Sequence, residues 1–276
     1  MALFGAYRGP TEVGYLFIDA AYLNQRLESF GQKWFGVTAD ANYPAIGAGF
    51  TKTFYYDCLP SKTDSETEAE FEKRKHIKEI HFDKLRSLPG WHVSEGLAKW
   101  RKKKGSSQKE VDILITVDML THTYRKNMHR LAFIAGDQDF RPLLEAVVRD
   151  GMYVELWYES TSISTELKHT ADATKELDFF TFYQYLDPVF QANNPIPTRS
   201  NLFEAHPSDG ILLEKGISNG EQVAQLFKSS SSDLLTIVQT KTNGNAHHLH
   251  MSLKGKIDFL KKVYSAHYDA CEWIKH

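Results

Sequence analysis

The chain has 276 residues, a formal net charge of −2 at pH 7, 42% hydrophobic residues and 25% charged residues. This composition is typical of globular proteins and excludes a disordered, collagen-like or coiled-coil chain. No apolar run approaches the roughly 20 residues that span a bilayer, and two cysteines cannot build a disulfide framework. We therefore expect a cytoplasmic protein without a membrane partner, whose affinity for any nucleic acid has to come from a local basic patch.

Residues 1–187 alternate strand-like and helix-like segments. A short apolar run at 15–18 predicts the first strand, and further strands are predicted at 50–56, 91–95, 130–135 and 153–157. Helical spacing of apolar residues predicts helices at 64–88, 111–124 and 140–149, with Gly151 closing the last one. Strands that alternate with helices indicate βαβ units, so this part is predicted to be an α/β domain with a mainly parallel central sheet.

The remainder of the chain is predicted to be a separate piece. Four of the nine prolines fall between Pro188 and Pro207, so residues 188–210 are predicted to be a linker. Residues 211–276 are predicted to form a small α+β module with a helix at 220–228, a hairpin of strands at 234–239 and 248–253, and a closing helix at 255–275. The sequence leaves open whether this module binds nucleic acid, binds another protein or forms a dimer contact.

Acidic residues follow two of the predicted strands. Asp19 ends the first strand, and Asp137 and Asp139 come directly after the strand at 130–135. Because the carboxyl ends of parallel strands share one edge of the sheet, where ligands collect, these carboxylates are candidates for a single site. Taken one by one, each of them is better explained as a helix cap or a turn residue, and only their joint placement favours a site.

Two further aspartates belong to the predicted helix at 111–124. Asp112 stands at its start, where it suits an N-cap, and Asp118 lies about 120° further around an ideal helix. These two share a site only if Asp112 lies outside the regular helix. Converging carboxylates repel one another unless a cation neutralises them, and oxygen ligands suit Mg²⁺ or Mn²⁺. Such an ion activates water and stabilises a phosphodiester displacement.

Three blocks of the sequence resemble NYN domains, the LabA-like branch of the PIN-like nucleases. Residues 15–23 (YLFIDAAYL) resemble the opening strand and turn, and residues 109–120 (KEVDILITVDML) resemble the family's K-G-V-D…D-x-L helix. Residues 131–143 (LAFIAGDQDFRPL) resemble its S-G-D-x-D-F-x-P-L signature. The blocks stand in family order, and the resemblance covers roughly residues 13–187.

The resemblance implies a PIN-like three-layer sandwich, a divalent Mg²⁺ or Mn²⁺ ion and cleavage of RNA, and it suggests a homodimer. The departures from the family pattern include Ala20, where a glycine is common, and Tyr22, where an asparagine is common. No departure removes a carboxylate. Carried over position by position, the catalytic residues would be Asp19, Asp112, Asp118, Asp137 and Asp139. The metal ligands among them would be Asp19, Asp112, Asp137 and Asp139.

A basic segment directly precedes Asp112. Residues 99–109 contain six positive residues and no acidic one, so they are predicted to hold an RNA backbone beside the acidic site. Trp100 can stack on a base, and Arg141 is a further candidate for a phosphate contact. The predicted nucleic-acid contacts are Lys99, Trp100, Arg101, Lys102, Lys103, Lys104, Lys109 and Arg141. The alternative is a solvated loop with a buried tryptophan and, for Arg141, an ion pair on the helix surface.

Three functions remain open at this point. The first is a metal-dependent ribonuclease that hydrolyses phosphodiester bonds and carries a C-terminal module with a further partner. The second is a regulator that binds RNA or protein, keeps the fold and has lost catalysis, as the altered first turn suggests. The third is a phosphohydrolase or phosphoryl acceptor on another α/β scaffold, in which a strand-end aspartate is the nucleophile.

Overall fold

The computed structural model describes residues 12–97, 99–101, 105–107, 109–241 and 246–276. For residues 97, 99–101, 105–107 and 109 it describes the backbone alone. The chain divides into two compact units, Met1–Phe190 and Gln191–His276. The predicted linker at 188–210 lies across this division and contains a helix at Pro188–Asn193 and a strand at Thr198–Leu202.

A parallel sheet forms the centre of the N-terminal unit. Its strands are β1 Gly14–Asp19, β2 Lys52–Leu59, β3 Trp91–Leu97, β6 Arg130–Ile134, β7 Tyr153–Tyr158 and β8 Ala173–Glu176. Strands β4 Lys99–Arg101 and β5 Gly105–Ser107 form a separate short antiparallel hairpin between β3 and β6. The six strands of the sheet are all parallel, in the order β3-β2-β1-β6-β7-β8. The predicted α/β class with a mainly parallel sheet is confirmed.

Helices cover both faces of this sheet. They are α1 Ala20–Phe35, α2 Tyr43–Ile46, α3 Glu68–Arg86, α4 Lys109–Tyr124, α5 Arg141–Arg149, α6 Thr165–Lys168, α7 Phe179–Gln184 and α8 Pro188–Asn193, with a 3₁₀ turn at Gln138–Phe140. The predicted helix at 64–88 is shorter than expected, because Thr67 and Glu70 form a capping box that starts α3 at Glu68. Gly151 follows α5 with a φ of 85°, a left-handed conformation that glycine adopts without strain.

Two separate apolar cores result from the alternation of side chains along the strands. On one face, Phe17 and Phe133 pack with residues of α4 and α5 such as Ile115 and Leu144, all of them buried. On the other face, strand residues pack against α1, α3 and α7. The main contributors there are Leu16, Ile18, Tyr55, Leu23, Phe82 and Phe182. The unit is therefore a three-layer α/β/α sandwich, as predicted.

The C-terminal unit is built on an antiparallel sheet. Its elements are β9 Thr198–Leu202, β10 Gly210–Ser218, β11 Glu221–Ser229, β12 Leu234–Gln239, β13 His248–Lys254, α9 Ile257–His267 and β14 Glu272–Lys275. The strand order is β14-β10-β11-β12-β13-β9. Helix α9 covers one face of this sheet, where Leu260, Val263 and Tyr264 are fully buried. The predicted hairpin of β12 and β13 is present.

Two helix predictions in this unit are wrong. The segment predicted as a helix at 220–228 is strand β11, because Asn219 and Gly220 both adopt positive φ angles, 51° and 80°, and turn the chain back onto β10. The closing helix ends at His267 instead of reaching 275, and β14 pairs with β10. In both cases pairing with neighbouring strands overrides a local helical pattern.

Candidate active site

The strand order places a topological switch point between β1 and β6. From β1 the chain runs to β2 and β3 on one side of the sheet and then returns to β6 on the other side of β1. The two strands are in register, with Ile18 beside Ile134. A crevice opens at the carboxyl ends of strands at such a point, and it is the usual ligand site of open α/β sheets. Asp19 is the last residue of β1, and Asp137 follows the end of β6 by three residues.

Asp19 occupies the turn from β1 into α1. Its Oδ1 accepts hydrogen bonds from the backbone N–H groups of Ala21 at 3.0 Å and Tyr22 at 3.4 Å, so the carboxylate caps α1. The residue is only 9% exposed. Burial raises the pKa of Asp19 to about 6, and the charges of Asp112 and Asp57 add to this rise while the two backbone hydrogen bonds oppose it. Three carboxylates therefore lie near one another at this strand end.

Asp112 lies in the first turn of α4, which begins at Lys109. The expectation that it forms the N-cap is thus wrong: it is a helical residue, half-buried, whose charge acts on Asp19. Because Asp112 belongs to the regular helix, Asp118 points about 120° away from it. Asp118 instead accepts a hydrogen bond of 3.0 Å from the phenol of Tyr56 on β2. The structure brings Asp112 to Asp19 and gives Asp118 a different partner.

Asp137 and Asp139 lie on the 3₁₀ turn after β6, and both are exposed. The Oδ1 of Asp137 accepts a hydrogen bond of 2.9 Å from the N–H of Asp139, so this carboxylate caps the turn. The turn is anchored by Phe140, which is 3% exposed and packs edge-on against Phe133 with 5.0 Å between ring centroids. The two carboxylates are consequently held at the switch point while their outer oxygens face solvent.

Tyr22 is a site residue whose role sequence analysis missed. Its ring lies against Gly136, where an added Cβ would be 2.3 Å from the Tyr22 ring and 2.3 Å from the Ser162 carbonyl oxygen. Its phenol oxygen accepts a hydrogen bond of 2.8 Å from the N–H of Glu159, directly after β7. Tyr22 therefore joins three loops at the carboxyl edge, and glycine is required at position 136. No local pattern signals a contact between residues so far apart in sequence.

Asp57 is the second residue that sequence analysis missed. It is 6% exposed on β2, one residue beyond Tyr56, which is the register partner of Asp19. Its Oδ1 accepts from the N–H of Cys58 at 2.8 Å, and its Oδ2 accepts from the Tyr55 phenol at 3.3 Å and pairs with Lys78 on α3. The rule that identified Asp19, a carboxylate where a strand reaches the sheet edge, would also have identified Asp57.

Most of the predicted nucleic-acid contacts belong to the segment between β3 and the start of α4, which the structure describes in part. Lys99, Trp100 and Arg101 form β4 of the short hairpin between β3 and α4, and Lys109 begins α4. Lys102, Lys103 and Lys104 lie outside the described residues. Arg141 forms an ion pair with Glu145, with 2.7 Å between Nε and Oε1, which is the alternative considered for it.

The donor set of the site fits a hard divalent cation. The carboxylates at the switch point offer oxygen ligands, which such a cation prefers. Asp19 is buried, Asp112 is half-buried, and the charge of Asp112 acts on Asp19. A bound cation would relieve the repulsion between these two carboxylates. Within the described ranges, however, no three histidine, cysteine, aspartate or glutamate side chains are grouped closely enough to hold a metal ion. The side chains thus provide the right chemistry without a preassembled ligand shell.

Acidic residues at the switch point of a parallel three-layer sandwich are a feature of the PIN-like nuclease folds, which other α/β enzymes share. The model of the NYN domain family matches residues 16–178, more than half of the chain, and the protein belongs to this family. NYN domains are PIN-like, are generally nucleases and act on RNA, and PIN-like nucleases typically use divalent metals. The C-terminal unit lies outside the match.

Comparisons with individual proteins give less information about this chain than the family match does. No curated protein matches the chain. A crystal structure of a protein of unknown function from Vibrio parahaemolyticus is similar with a TM-score of 0.43 and 18% sequence identity, over 64% of this chain and 96% of the other. Among the described residues, no helix combines the length and apolarity needed to cross a membrane.

Proposed function

We propose that the protein is a cytoplasmic, metal-dependent ribonuclease that hydrolyses phosphodiester bonds at the carboxyl edge of its parallel sheet. The observation that carries this proposal is the burial of Asp19 next to Asp112 and Asp57 at the switch point, which raises the pKa of the Asp19 carboxyl to about 6. Like charges held together in a desolvated place are costly to a fold and are typical of functional sites.

The proposed ligands of an Mg²⁺ or Mn²⁺ ion are Asp19, Asp112, Asp137 and Asp139. A divalent ion bound there supplies Lewis-acid polarisation of the phosphodiester and lowers the pKa of attacking water. In the reaction, a water oxygen forms a bond to phosphorus, the bond to a ribose oxygen breaks, and that oxygen leaves with a proton. The Ala21 and Tyr22 N–H groups hold the Asp19 carboxylate in one orientation throughout.

Substrate positioning is assigned to the basic segment. Its lysines and arginine at 99–109 precede the Asp112 turn, so an RNA backbone on the β4–β5 hairpin would lie beside the carboxylates. Tyr22 keeps the loops after β1, β6 and β7 together. Asp118 remains a candidate catalytic residue, with its carboxylate oriented by the Tyr56 phenol. A homodimer and a partner for the C-terminal unit remain predictions.

The test is cleavage of labelled single-stranded RNA and DNA in Mn²⁺, Mg²⁺ or EDTA. Wild type is compared with Asp137→Asn and with the control Asp150→Asn, which makes the same chemical change at an exposed residue at the far end of α5. We expect metal-dependent cleavage of RNA by wild type and control and its loss in Asp137→Asn. Equal cleavage by all three proteins, or cleavage in EDTA, contradicts the proposal.

A second function is favoured by two observations. The described side chains form no group of three metal ligands, and Tyr22 fills the space beside Gly136. Both features suit a regulator that binds RNA without cutting it. Binding of labelled RNA by wild type in Mn²⁺, with intact RNA recovered after long incubation, would establish this second function in place of the first.

A further inference from the structure

A cavity of about 300 Å³ lies on the flank of the sheet formed by α1, α2, α3 and the loop that follows α1. Its polar and aromatic lining consists of Asn24, Glu28, Thr38, Asp40, Tyr43 and His81. None of these residues belongs to the carboxylate site described above. The volume admits a purine base, and the lining mixes flat rings with hydrogen-bonding groups.

Hydrogen bonds through the buried Tyr55 link two residues of the cavity wall to Asp57. The Tyr55 phenol donates to Asp57 Oδ2 at 3.3 Å, and its oxygen lies 3.5 Å from the Asn24 amide nitrogen and 3.4 Å from Nε2 of His81. Asn24 follows Asp19 by five residues, about 7.5 Å along the axis of α1. A nucleotide whose phosphate lies at Asp19 can therefore place its own base, or that of a neighbour, at the mouth of the cavity.

The aromatic residues provide a surface for stacking. The rings of Tyr43 and His81 are half-buried and lie 5.2 Å apart with an interplanar angle of 60°. Burial and the nearby Lys78 lower the pKa of His81, so its imidazole is neutral at physiological pH. Unstacked RNA bases are typically bound on such rings and recognised along their Watson–Crick edge.

The polar groups select a base edge that carries donors. Glu28 and Asp40 are exposed carboxylates, which accept hydrogen bonds and repel phosphate. Guanine offers two adjacent donors, N1–H and the N2 amino group, which one carboxylate can accept together. Uracil offers a single N–H donor between two carbonyl groups. Acceptor-rich walls thus favour guanine over uracil.

We propose that this cavity is a guanine-binding subsite, which holds a base next to the phosphodiester that the carboxylates act on. Its position relative to a cleavage site depends on the proposed ribonuclease function, whereas base recognition does not. Asp40 is the residue expected to accept from the guanine edge, with the ring of His81 beneath the base and the inclined ring of Tyr43 at its side. A preference for guanine would make the enzyme selective for sequence.

The test measures binding without cleavage. Fluorescence anisotropy in EDTA compares three labelled heptamers with the full-length protein: seven uridines, the same with a central guanosine, and the same with inosine, which lacks the N2 amino group. We expect wild type to bind the guanosine heptamer about tenfold more tightly than the uridine heptamer, with inosine in between. Asp40→Asn should remove most of this preference without lowering the affinity for the uridine heptamer, because the lost carboxylate only repels phosphate.

Glu28→Gln and Asp150→Asn serve as matched variants, and thermal unfolding confirms that each variant is folded. Equal affinities of wild type for all three heptamers, absence of binding, or an unchanged preference in both Asp40→Asn and Glu28→Gln overturns the subsite. The proposed reaction is judged separately in Mn²⁺. Guanosine preference without cleavage retains the subsite and rejects the ribonuclease, while cleavage without preference does the reverse.

Discussion

The phenol oxygen of Tyr22 accepts a hydrogen bond from the backbone N–H of Glu159 across 137 residues of sequence, at 2.8 Å. The contact joins the first turn of α1 to the end of β7, and the ring of Tyr22 lies against Gly136 between them. Burial raises the pKa of this phenol to about 12, so it remains a neutral partner. The position where NYN relatives commonly have an asparagine therefore carries a structural clamp in this protein.

Tyr22→Phe is expected to destabilise the protein by about 1 kcal/mol, because the ring still fills the space beside Gly136 while the Glu159 N–H loses its acceptor. Urea unfolding followed by circular dichroism measures the change. Tyr124→Phe, which alters an exposed tyrosine at the end of α4, is the control. A value for Tyr22→Phe equal to that of the control would show that the hydrogen bond contributes nothing to stability.

Asp19→Asn is expected to stabilise the metal-free protein at pH 7.5, by up to about 3 kcal/mol. The pKa of Asp19 is raised from 3.8 to about 6, so as pH rises from 4 to 6 the unfolded state ionises first and the folded state is destabilised. An asparagine keeps the cap and carries no charge. Unfolding curves between pH 4 and 8 should therefore converge at the acid end and separate towards neutral pH.

The same variant should lose its response to metal. Mn²⁺ is expected to raise the Tm of the wild-type protein and not that of Asp19→Asn, because a ligand that binds only the folded state stabilises it. Asp150→Asn should behave as wild type in both series. If Asp19→Asn is less stable than wild type at pH 7.5, then the carboxylate is not held against repulsion and the electrostatic basis of the site is wrong.

Asp112 and Asp118 lie on the same helix, but we expect their substitution to have different effects on Mn²⁺ binding and on stability. Asp112→Asn removes a charge that acts on Asp19 and should weaken Mn²⁺ binding by about tenfold or more. Asp118→Asn leaves that charge in place and should cost about 1 kcal/mol of stability through its bond to Tyr56. Calorimetric titration measures the affinity of each variant for Mn²⁺. Equal losses of affinity in the two variants would place Asp118 among the metal ligands.

Neutralising the basic segment should weaken RNA binding in a way that depends on salt. Lys102→Ala combined with Lys103→Ala is expected to make the negative slope of log K against log salt concentration shallower, by about 0.7 for each lost contact to a single strand. Lys73→Ala combined with Lys126→Ala, two exposed lysines elsewhere on the unit, is the matched control. An identical slope in both double variants would assign the phosphate contacts to another surface.

The sequence by itself was sufficient to predict the class of fold and the positions of most candidate ligands. Each of these depends on residues close together in the chain: the apolar run that ends at Asp19, and the Gly-Asp-Gln-Asp-Phe turn that places Asp137 and Asp139 after a buried strand. Alternation of apolar residues determines which segments are strands, and parallel strands present their carboxyl ends at one edge. The strand pattern and the shared carboxyl edge together predict that Asp19, Asp137 and Asp139 lie at the same edge of the sheet.

Only the tertiary structure decided which of these residues meet. The placement of Asp112 near Asp19, of Asp118 at Tyr56 and of Tyr22 against Gly136 depends on the order of the strands and on the packing of helices over them. The same holds for β11, whose local helical pattern was overridden by pairing with β10 and β12. Such contacts are stabilised by burial between segments distant in sequence, and a local pattern carries no information about its partner.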